Sequence, residues 1–389
     1  MTEHNMKYYI IAGEASGDLH GSNLMKGLFA KDPQADVRFW GGEMMNAVSQ
    51  EHRPGKTAMV KDYKETAVMG WKDVILNARK ISANIKFCKK DILEWQPDVV
   101  ILIDYPGFNL KIAEFAHNKG LKVFWYIAPK VWASREGRIR KIKKYVDKLF
   151  IVFPFEKEYF DRKQIPYVYC GNPLIDAVDS GAGQAAPADA DGKPYIALLA
   201  GSRRSEIKYM MPVFKAFADR LAATPGYEDY RFLVAGAPSR TMEDYAPWTG
   251  QGSKLQVVFG QTQNIVRHAR AAVVNSGTAS LETALIGTPQ VVVFALSAFN
   301  YAIGKRILKI NTISLGNLIA GHKVFKELIQ HYFNAENVAT EVIRLTSDTE
   351  YIQAMQEGYA EIRTLLGSSG ASLKIASAIF REISPCRSK

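Results

Sequence analysis

Cysteine is scarce in this chain. Cys88, Cys170 and Cys386 lie far apart in 389 residues, with no CxxC pair and no His pair at ligand spacing. That argues against a disulfide framework or a structural zinc. Long apolar runs are missing too: none approaches the ~18 residues of a spanning helix. A secretory pattern is absent at the start, where His4 and Lys7 precede only a few apolar residues and Glu14 and Asp18 follow at once. These absences give the expectation of a cytoplasmic protein. No loop has GxGxxG followed by an acidic ribose residue at the right distance, which counts against a dehydrogenase. Acidic residues are outnumbered, 39 Asp and Glu against 50 Lys and Arg, for a formal net charge of +11. Up to Cys170 there are 28 basic and 20 acidic residues, so +8 lies in the first part. Lys130 to Lys148 holds eight basic residues against Glu136 and Asp147. Such a face attracts phosphates of nucleic acid, anionic lipid or a phosphorylated substrate, or it is simply a solvated helix surface.

What is present is ordinary in bulk: 47% hydrophobic and 23% charged residues, as in a globular protein. The length exceeds the roughly 250–300 residues at which single cores stop growing, so two domains are expected. Tyr8 to Ala12 reads as a buried parallel strand. It breaks at Gly13, with Gly17 and Gly21 at four-residue spacing, and helical patterning starts near Leu19. Strand, glycine loop and helix form the first half of a βαβ unit, with the loop where open α/β sheets bind ligands. The loop carries Glu14, Ser16 and Asp18 and no base, which suits sugar hydroxyls better than a pyrophosphate. Alternatively, Ser16 or Asp18 caps the helix and the glycines allow close packing.

Val37 to Trp40 reads as a second strand. In Val68 to Trp95, Ile81, Ile85, Cys88 and Ile92 recur at helical spacing among Arg79, Lys80, Lys86, Lys89 and Lys90. This is a core helix with a basic outer face, or an interfacial segment in which Met69, Trp71 and Ile75 dip into lipid. Asp98 to Asn109 is a strong strand ending in Asp104 and stopped by Pro106 and Gly107. Asp104 sits where the crevice should be and suits a general base, or an Asx turn capping the next helix. Leu121 to Ile127, Leu149 to Phe153 and Tyr167 to Gly171 read as further strands, with a basic helix from Arg135 to Lys148. Asp179 to Pro194 is rich in Gly, Ala, Asp and Pro and reads as a linker.

The pattern then restarts. Strand Tyr195 to Ala200 runs into Gly201, Ser202, Arg203 and Arg204 and a helix with Phe214, Phe217 and Leu221 on one face. Free backbone N–H groups and guanidinium groups at a helix start make a diphosphate site. Strands at Arg231 to Ala235 and Leu255 to Phe259 precede Ala271 to Asn275. There Ser276, Gly277 and Thr278 form a second small-residue turn, with Glu282 one turn in, placed for a ribose hydroxyl pair. Its alternative is a capping box, for which Thr278 to Glu282 is one residue too long. After strand Gln290 to Phe294 the rest reads as helical up to Glu382.

AGEASGD at Ala12 to Asp18, IDYPGFN at Ile103 to Asn109, GSRRSEI at Gly201 to Ile207, SGTASLE at Ser276 to Glu282 and NLIAG at Asn317 to Gly321 occur in that order. Together they resemble the lipid-A-disaccharide synthase family, inverting glycosyltransferases, over nearly the whole chain. PFEKEYF at Pro154 to Phe160 and KELIQ at Lys326 to Gln330 fit as well. The resemblance implies an α/β fold of the GT-B type, two Rossmann-like domains facing each other across a cleft. Residues 1–172 would form the acceptor and membrane-associated domain and 173–367 the UDP-sugar domain. Residues 368–389 would cross back to the first domain or to a partner chain in an exchanged homodimer.

The implied reaction joins UDP-2,3-diacylglucosamine to 2,3-diacylglucosamine 1-phosphate through a β(1→6) link and releases UDP, without metal or cofactor. Asp104 would be the base, with Glu14 and Ser16 beside it. Gly201, Ser202, Arg203, Ser276, Gly277, Thr278, Glu282 and Asn317 would hold the UDP-sugar. Val68, Met69, Trp71, Val74 and Ile75 match a membrane-touching segment, implying a peripheral place on the inner membrane. No nucleic-acid partner is expected. The chain departs from many relatives at Asn172, where they have His, at Ser134 of Trp132 to Arg135, where they have Trp, and at Gly316, where they have Pro. Competing readings are another GT-B enzyme, such as a UDP-GlcNAc transferase to a polyprenyl lipid or an epimerase, and a non-enzymatic basic membrane- or nucleic-acid-binding protein.

Overall fold

The computed structural model describes residues 5–66, 74–132, 136–181, 183, 185–295 and 312–384. They form two compact units, Met1–Ala177 with Ser368–Lys389, and Val178–Gly367.

The first unit runs β1 (Lys7–Ala12), α1 (Ala15–Lys31), β2 (Asp36–Gly41), α2 (Glu43–His52), β3 (Met59–Asp62), α3 (Tyr63–Thr66), α4 (Val74–Trp95), β4 (Val99–Ile103), α5 (Pro106–Asn118), β5 (Lys122–Tyr126), α6 (Ile139–Tyr145), β6 (Lys148–Ile151), α7 (Phe155–Arg162), β7 (Val168–Tyr169) and α8 (Pro173–Ser180). Its sheet has the order β3-β2-β1-β4-β5-β6-β7. Every pairing is parallel; Tyr8 to Ala12 lie beside Val99 to Ile103 and Tyr8 to Ile11 beside Val37 to Trp40. Strands covered on both faces need apolar side chains throughout rather than an alternation. Val99 to Ile103 meets that demand with five residues at 0% exposure.

The helical spacing in α4 has its consequence here. Ile85, Cys88 and Ile92 are buried, with Ile81 packed at the margin of the same core. Each fully buried Ile side chain contributes about 1.5–3 kcal/mol.

The second unit runs β8 (Tyr195–Leu199), α9 (Arg204–Ala222), β9 (Arg231–Gly236), β10 (Leu255–Phe259), α10 (Thr262–His268), β11 (Ala271–Asn275), α11 (Thr278–Ile286), β12 (Gln290–Phe294), α12 (Leu315–Ala320), β13 (Glu327–Ile329), α13 (Ala335–Ser347) and α14 (Thr349–Leu366). Its parallel sheet has the order β10-β9-β8-β11-β12-β13. Phe214, Phe217 and Leu221 of α9 are all at 0% exposure, as their spacing requires.

Both sheets are doubly wound, and the strand order reverses between β1 and β4 in one and between β8 and β11 in the other. At such switch points the loops diverge and leave a crevice at the carboxyl ends of the strands.

The last helix, α15 (Ala371–Ile383), belongs to the first unit. Asp176 accepts hydrogen bonds from the Gly370 and Ser372 backbone N–H groups at the start of α15. Gly27 of α1 allows the approach: a Cβ there would lie 2.8 Å from the Ala376 Cβ. Lys148 pairs with Glu382 at 2.8 Å.

The division falls after Ala177, inside α8 and within the stretch around residues 171–194 where the composition shifts. Four expectations need correction. The composition shift marks the loop after α8, and part of the supposed linker packs into the second unit, where Ala190 is 3% exposed and Gln256 donates to Asp189. The chain after Phe294 is not all helical, because β13 adds an edge strand beside β12. Three residues are too few for an alternation to be read. The basic segment is shorter than a helix over 135–148: it is a 3-10 turn at Glu136–Arg138 followed by α6, and Lys148 opens β6. Finally, α1 starts at Ala15 rather than near Leu19, so Gly17 as well as Gly21 is a helical residue. They are small because Gly17 lies against Ala12 and Gly21 against Met45. No described helix is long and apolar enough to cross a membrane.

Candidate active site at the two switch points

In the first unit the nominated residues converge on the β1/β4 switch point. Glu14 is the residue before α1, and Ser16 lies in its first turn. Asp18, two residues further on, is committed to the protein. Its carboxylate, 4% exposed, accepts from the backbone N–H groups of Gly42 at 2.8 Å, Met44 at 3.1 Å and Met45 at 3.1 Å. Asp18 therefore caps α2 and not its own helix, a role that neither reading of the sequence contained. Burial raises its pKa and the three donors oppose that rise.

Asp104 follows β4, and its backbone is unusual. Asp104 and Tyr105 both adopt left-handed conformations, φ 41° and 47°, and Ile127 after the neighbouring β5 does the same at φ 63°. Aspartate tolerates this region; for a bulky Tyr and a β-branched Ile it is an outlier. Such residues cost about 1–3 kcal/mol each and persist where the surroundings over-determine them. The Asp104 N–H donates to the Tyr126 carbonyl at 3.3 Å. The Tyr105 ring occupies the space over Gly13, where any Cβ would collide with it, and stacks on Phe108 at 5.5 Å. Pro106 opens α5, as its fixed φ favours.

Farther along the same sheet, Glu156 is fully buried. It accepts from the backbone N–H groups of Val152 at 3.1 Å and Phe153 at 3.0 Å and from Trp132 Nε1 at 3.3 Å. Burial pushes its pKa up to about 7 against those donors. Asn172 closes the same turn, donating to the Val152 carbonyl at 3.0 Å and accepting from the Leu174 N–H at 2.9 Å.

In the second unit Gly201, Ser202 and Arg203 follow β8, and Ser276, Gly277 and Thr278 follow β11, on adjacent parallel strands. Gly201 has φ +94°, and a Cβ there would collide with Glu206 and Asn275, so glycine is required on two counts. The loop is not an open cradle of free N–H groups. Glu206 Oε2 accepts from the Ser202 N–H at 3.0 Å and the Arg203 N–H at 3.2 Å, and Arg203 Nη1 lies 3.5 Å from Glu206 Oε1. Arg204 pairs with Asp244 at 2.7 Å. A carboxylate thus occupies donors that had been assigned to a phosphate. Glu206 stands three residues after Arg203, at capping-box spacing, so the sequence did carry a signal for it.

Ser276 donates its hydroxyl to the Ile313 carbonyl at 3.1 Å and its N–H bonds the Val293 carbonyl at 2.9 Å. Glu282 is not part of a capping box. It accepts from Gln263 Nε2 at 2.7 Å, and burial raises its pKa. Asn317 is 1% exposed, and its side chain is spent on the protein. It donates to the Phe325 carbonyl at 3.0 Å and to Glu327 at 3.2 Å, and accepts from the Val324 N–H at 2.9 Å. Glu327, on the strand the sequence did not reveal, also accepts from the hydroxyls of Thr312 and Ser314 and from the N–H groups of Ile313 and Ser314. It fixes the segment to which Ser276 is tied.

Of the nominated lipid-facing residues, Val68, Met69 and Trp71 lie outside the described residues, and of Val74 and Ile75 only the helical backbone of α4 is described.

Residues 8–379 match the lipid-A-disaccharide synthetase family. A lipid-A-disaccharide synthase of Geobacter metallireducens is 35% identical over 384 residues, 97% of this chain and 98% of the relative. One of Myxococcus xanthus is 34% identical over 384 residues, covering 97% and 98%. Among solved structures, a putative UDP-N-acetylglucosamine 2-epimerase of Listeria monocytogenes superposes with TM-score 0.70 at 16% identity, covering 98% of this chain and 97% of that one. A UDP-GlcNAc 2-epimerase of Neisseria meningitidis bound to UDP-GlcNAc gives 0.67 at 15% identity, covering 97% and 100%. At such identities the likeness establishes the GT-B fold alone. The family match and the sequence relatives, spanning nearly the full length on both sides, decide the rest: this chain belongs to the lipid-A-disaccharide synthases, the glycosyltransferases that form the lipid A disaccharide.

Proposed function

We propose that this hexosyltransferase takes UDP-2,3-diacylglucosamine as donor and 2,3-diacylglucosamine 1-phosphate as acceptor, forms the β(1→6) link and releases UDP. The observation that carries the reading is placement. Asp104 follows β4 at the switch point of one sheet, while the Gly201–Arg203 and Ser276–Thr278 turns follow β8 and β11 at the switch point of the other.

Asp104 removes the proton from the acceptor 6-hydroxyl as that oxygen attacks the anomeric carbon from the face opposite UDP. Glu14 and Ser16, after β1, border the acceptor. The leaving diphosphate is stabilised by Arg203, the start of α9 and the Ser276–Thr278 turn. Glu206 has to yield donors to it. Glu282 binds the ribose hydroxyls, exchanging its Gln263 partner for them or sharing it. Asn317 acts from behind, holding Glu327 and the chain around Val324. The protein works as a peripheral protein on the inner membrane, where the segment from Val68 to Ile75 and the basic first part meet lipid, and where basic residues near the surface add about 1 kcal/mol each. In an exchanged homodimer a partner's α15 would make the contacts that α15 makes here with α1 and Asp176.

The test is UDP release by purified protein in detergent with the donor, with and without the acceptor. Acceptor-dependent release with a disaccharide product supports the reading. Release without acceptor, or isomerised sugar, would place the chain's chemistry with the epimerases whose fold it shares.

A further inference from the structure

The turn that carries Asp104 is held by a side chain to which no role has been given. Asn109, in the second turn of α5, is fully buried. Its amide donates twice, to the Ile103 carbonyl at 3.2 Å and to the Asp104 carbonyl at 2.8 Å. Those carbonyls flank the point where the chain leaves β4 and enters two successive left-handed residues. The Asn109 backbone N–H also bonds the Tyr105 carbonyl at 3.0 Å. One residue therefore ties down the carbonyls of Ile103, Asp104 and Tyr105, whose peptide planes set the direction of the Asp104 side chain. Both amide protons are needed at once, and only an Asn of this length offers two N–H groups there without a charge. A carboxylate at the same place would face two carbonyl oxygens.

We infer that Asn109 is a positioning residue for the catalytic carboxylate, acting through the left-handed Asp104–Tyr105 turn. The inference rests on the reading of Asp104 as the base. Without the two donors, Tyr105 relaxes out of the left-handed region and Asp104 turns with it. A displacement of about 1 Å at a reacting group is enough for a 100-fold loss. UDP binding, placed in the other unit, is untouched.

The experiment compares Asn109→Ala and the isosteric Asn109→Asp with Asp104→Asn, measuring kcat, KM for each substrate, UDP affinity and Tm. Both Asn109 variants are expected to lose 10- to 100-fold in kcat, with UDP affinity and donor KM within twofold of the parent. A Tyr105→Gly background, in which left-handed backbone is free of strain, is expected to shrink the Asn109→Ala effect to a few-fold. Unchanged kcat in Asn109→Ala overturns the inference. So does a fall in Tm and UDP affinity in step with kcat, which marks a purely structural residue. If Asn109→Ala does not fold alone, the Tyr105→Gly background supplies the comparison. An active Asp104→Asn would instead remove the base assignment, leaving the two failures distinct.

Discussion

The carboxyl edges of the two sheets solve opposite problems. On the first sheet the backbone is strained: Asp104, Tyr105 and Ile127 are all left-handed, and a buried Asn109 holds the turn that carries Asp104. On the second sheet carboxylates are turned inward. Glu206 gathers the N–H groups of the Gly201 loop, and Glu327 gathers the 312–314 segment behind Ser276. A base must be aimed at one oxygen, and an aimed side chain needs an over-determined backbone. A diphosphate needs donors, and donors left without a ligand need a stand-in acceptor. Under the proposed reaction, the same doubly wound frame would carry a directing edge in one unit and a receiving edge in the other.

The largest effect is expected at Asp104. Asp104→Ala is expected to lower turnover by about 10²–10⁴-fold, the range of general-base catalysis, in the UDP-release assay. Near-normal turnover would make the directing edge a scaffold only. Arg203→Ala acts on the other edge. Loss of a charge-assisted contact, about 1.5–3 kcal/mol, should weaken UDP binding roughly 10- to 100-fold by calorimetry. Unchanged affinity would put the diphosphate elsewhere.

Glu327→Gln perturbs the segment behind Ser276. An amide N–H₂ would face the Ile313 and Ser314 N–H groups and the Thr312 and Ser314 hydroxyls. A stability loss of about 2 kcal/mol is expected in denaturant unfolding, together with weaker UDP binding. A stability loss with full UDP affinity would separate Glu327 from the site.

The smallest effect is expected at His20, buried in α1 with its pKa pushed down to about 4. Desolvation is the main cause, with Asp176 pulling the other way. A folded pKa below the unfolded 6.5 means that the unfolded chain binds the proton first. Stability from this group is full above about pH 6.5 and lost as pH falls towards 4, by about 1 kcal/mol at pH 6. His20→Gln should flatten that part of the stability–pH curve; an unchanged curve would contradict the burial.

Much of this was legible in the sequence. Apolar runs such as Val99 to Ile103, short and bounded by turn signals, read as buried strands, and the breaks after them marked the loops at their carboxyl ends. Glu206 was also legible, by its spacing from Arg203. Asp18 was not, because the N–H groups it caps are more than twenty residues away on another helix. Nor was Glu327, whose strand has three residues and whose partners lie on the preceding segment and on α12. The clamp by Asn109 was hidden for a different reason. IDYPGFN gives the residues, but not the left-handed Asp104 and Tyr105 that accompany the bonds from that amide to the Ile103 and Asp104 carbonyls.

The proposed division of labour between the edges is tested most directly by the UDP dissociation constant of Asp104→Ala. A value equal to the parent's, in a variant without turnover, is the predicted result. A tenfold weakening would contradict the separation of a directing edge from a receiving one.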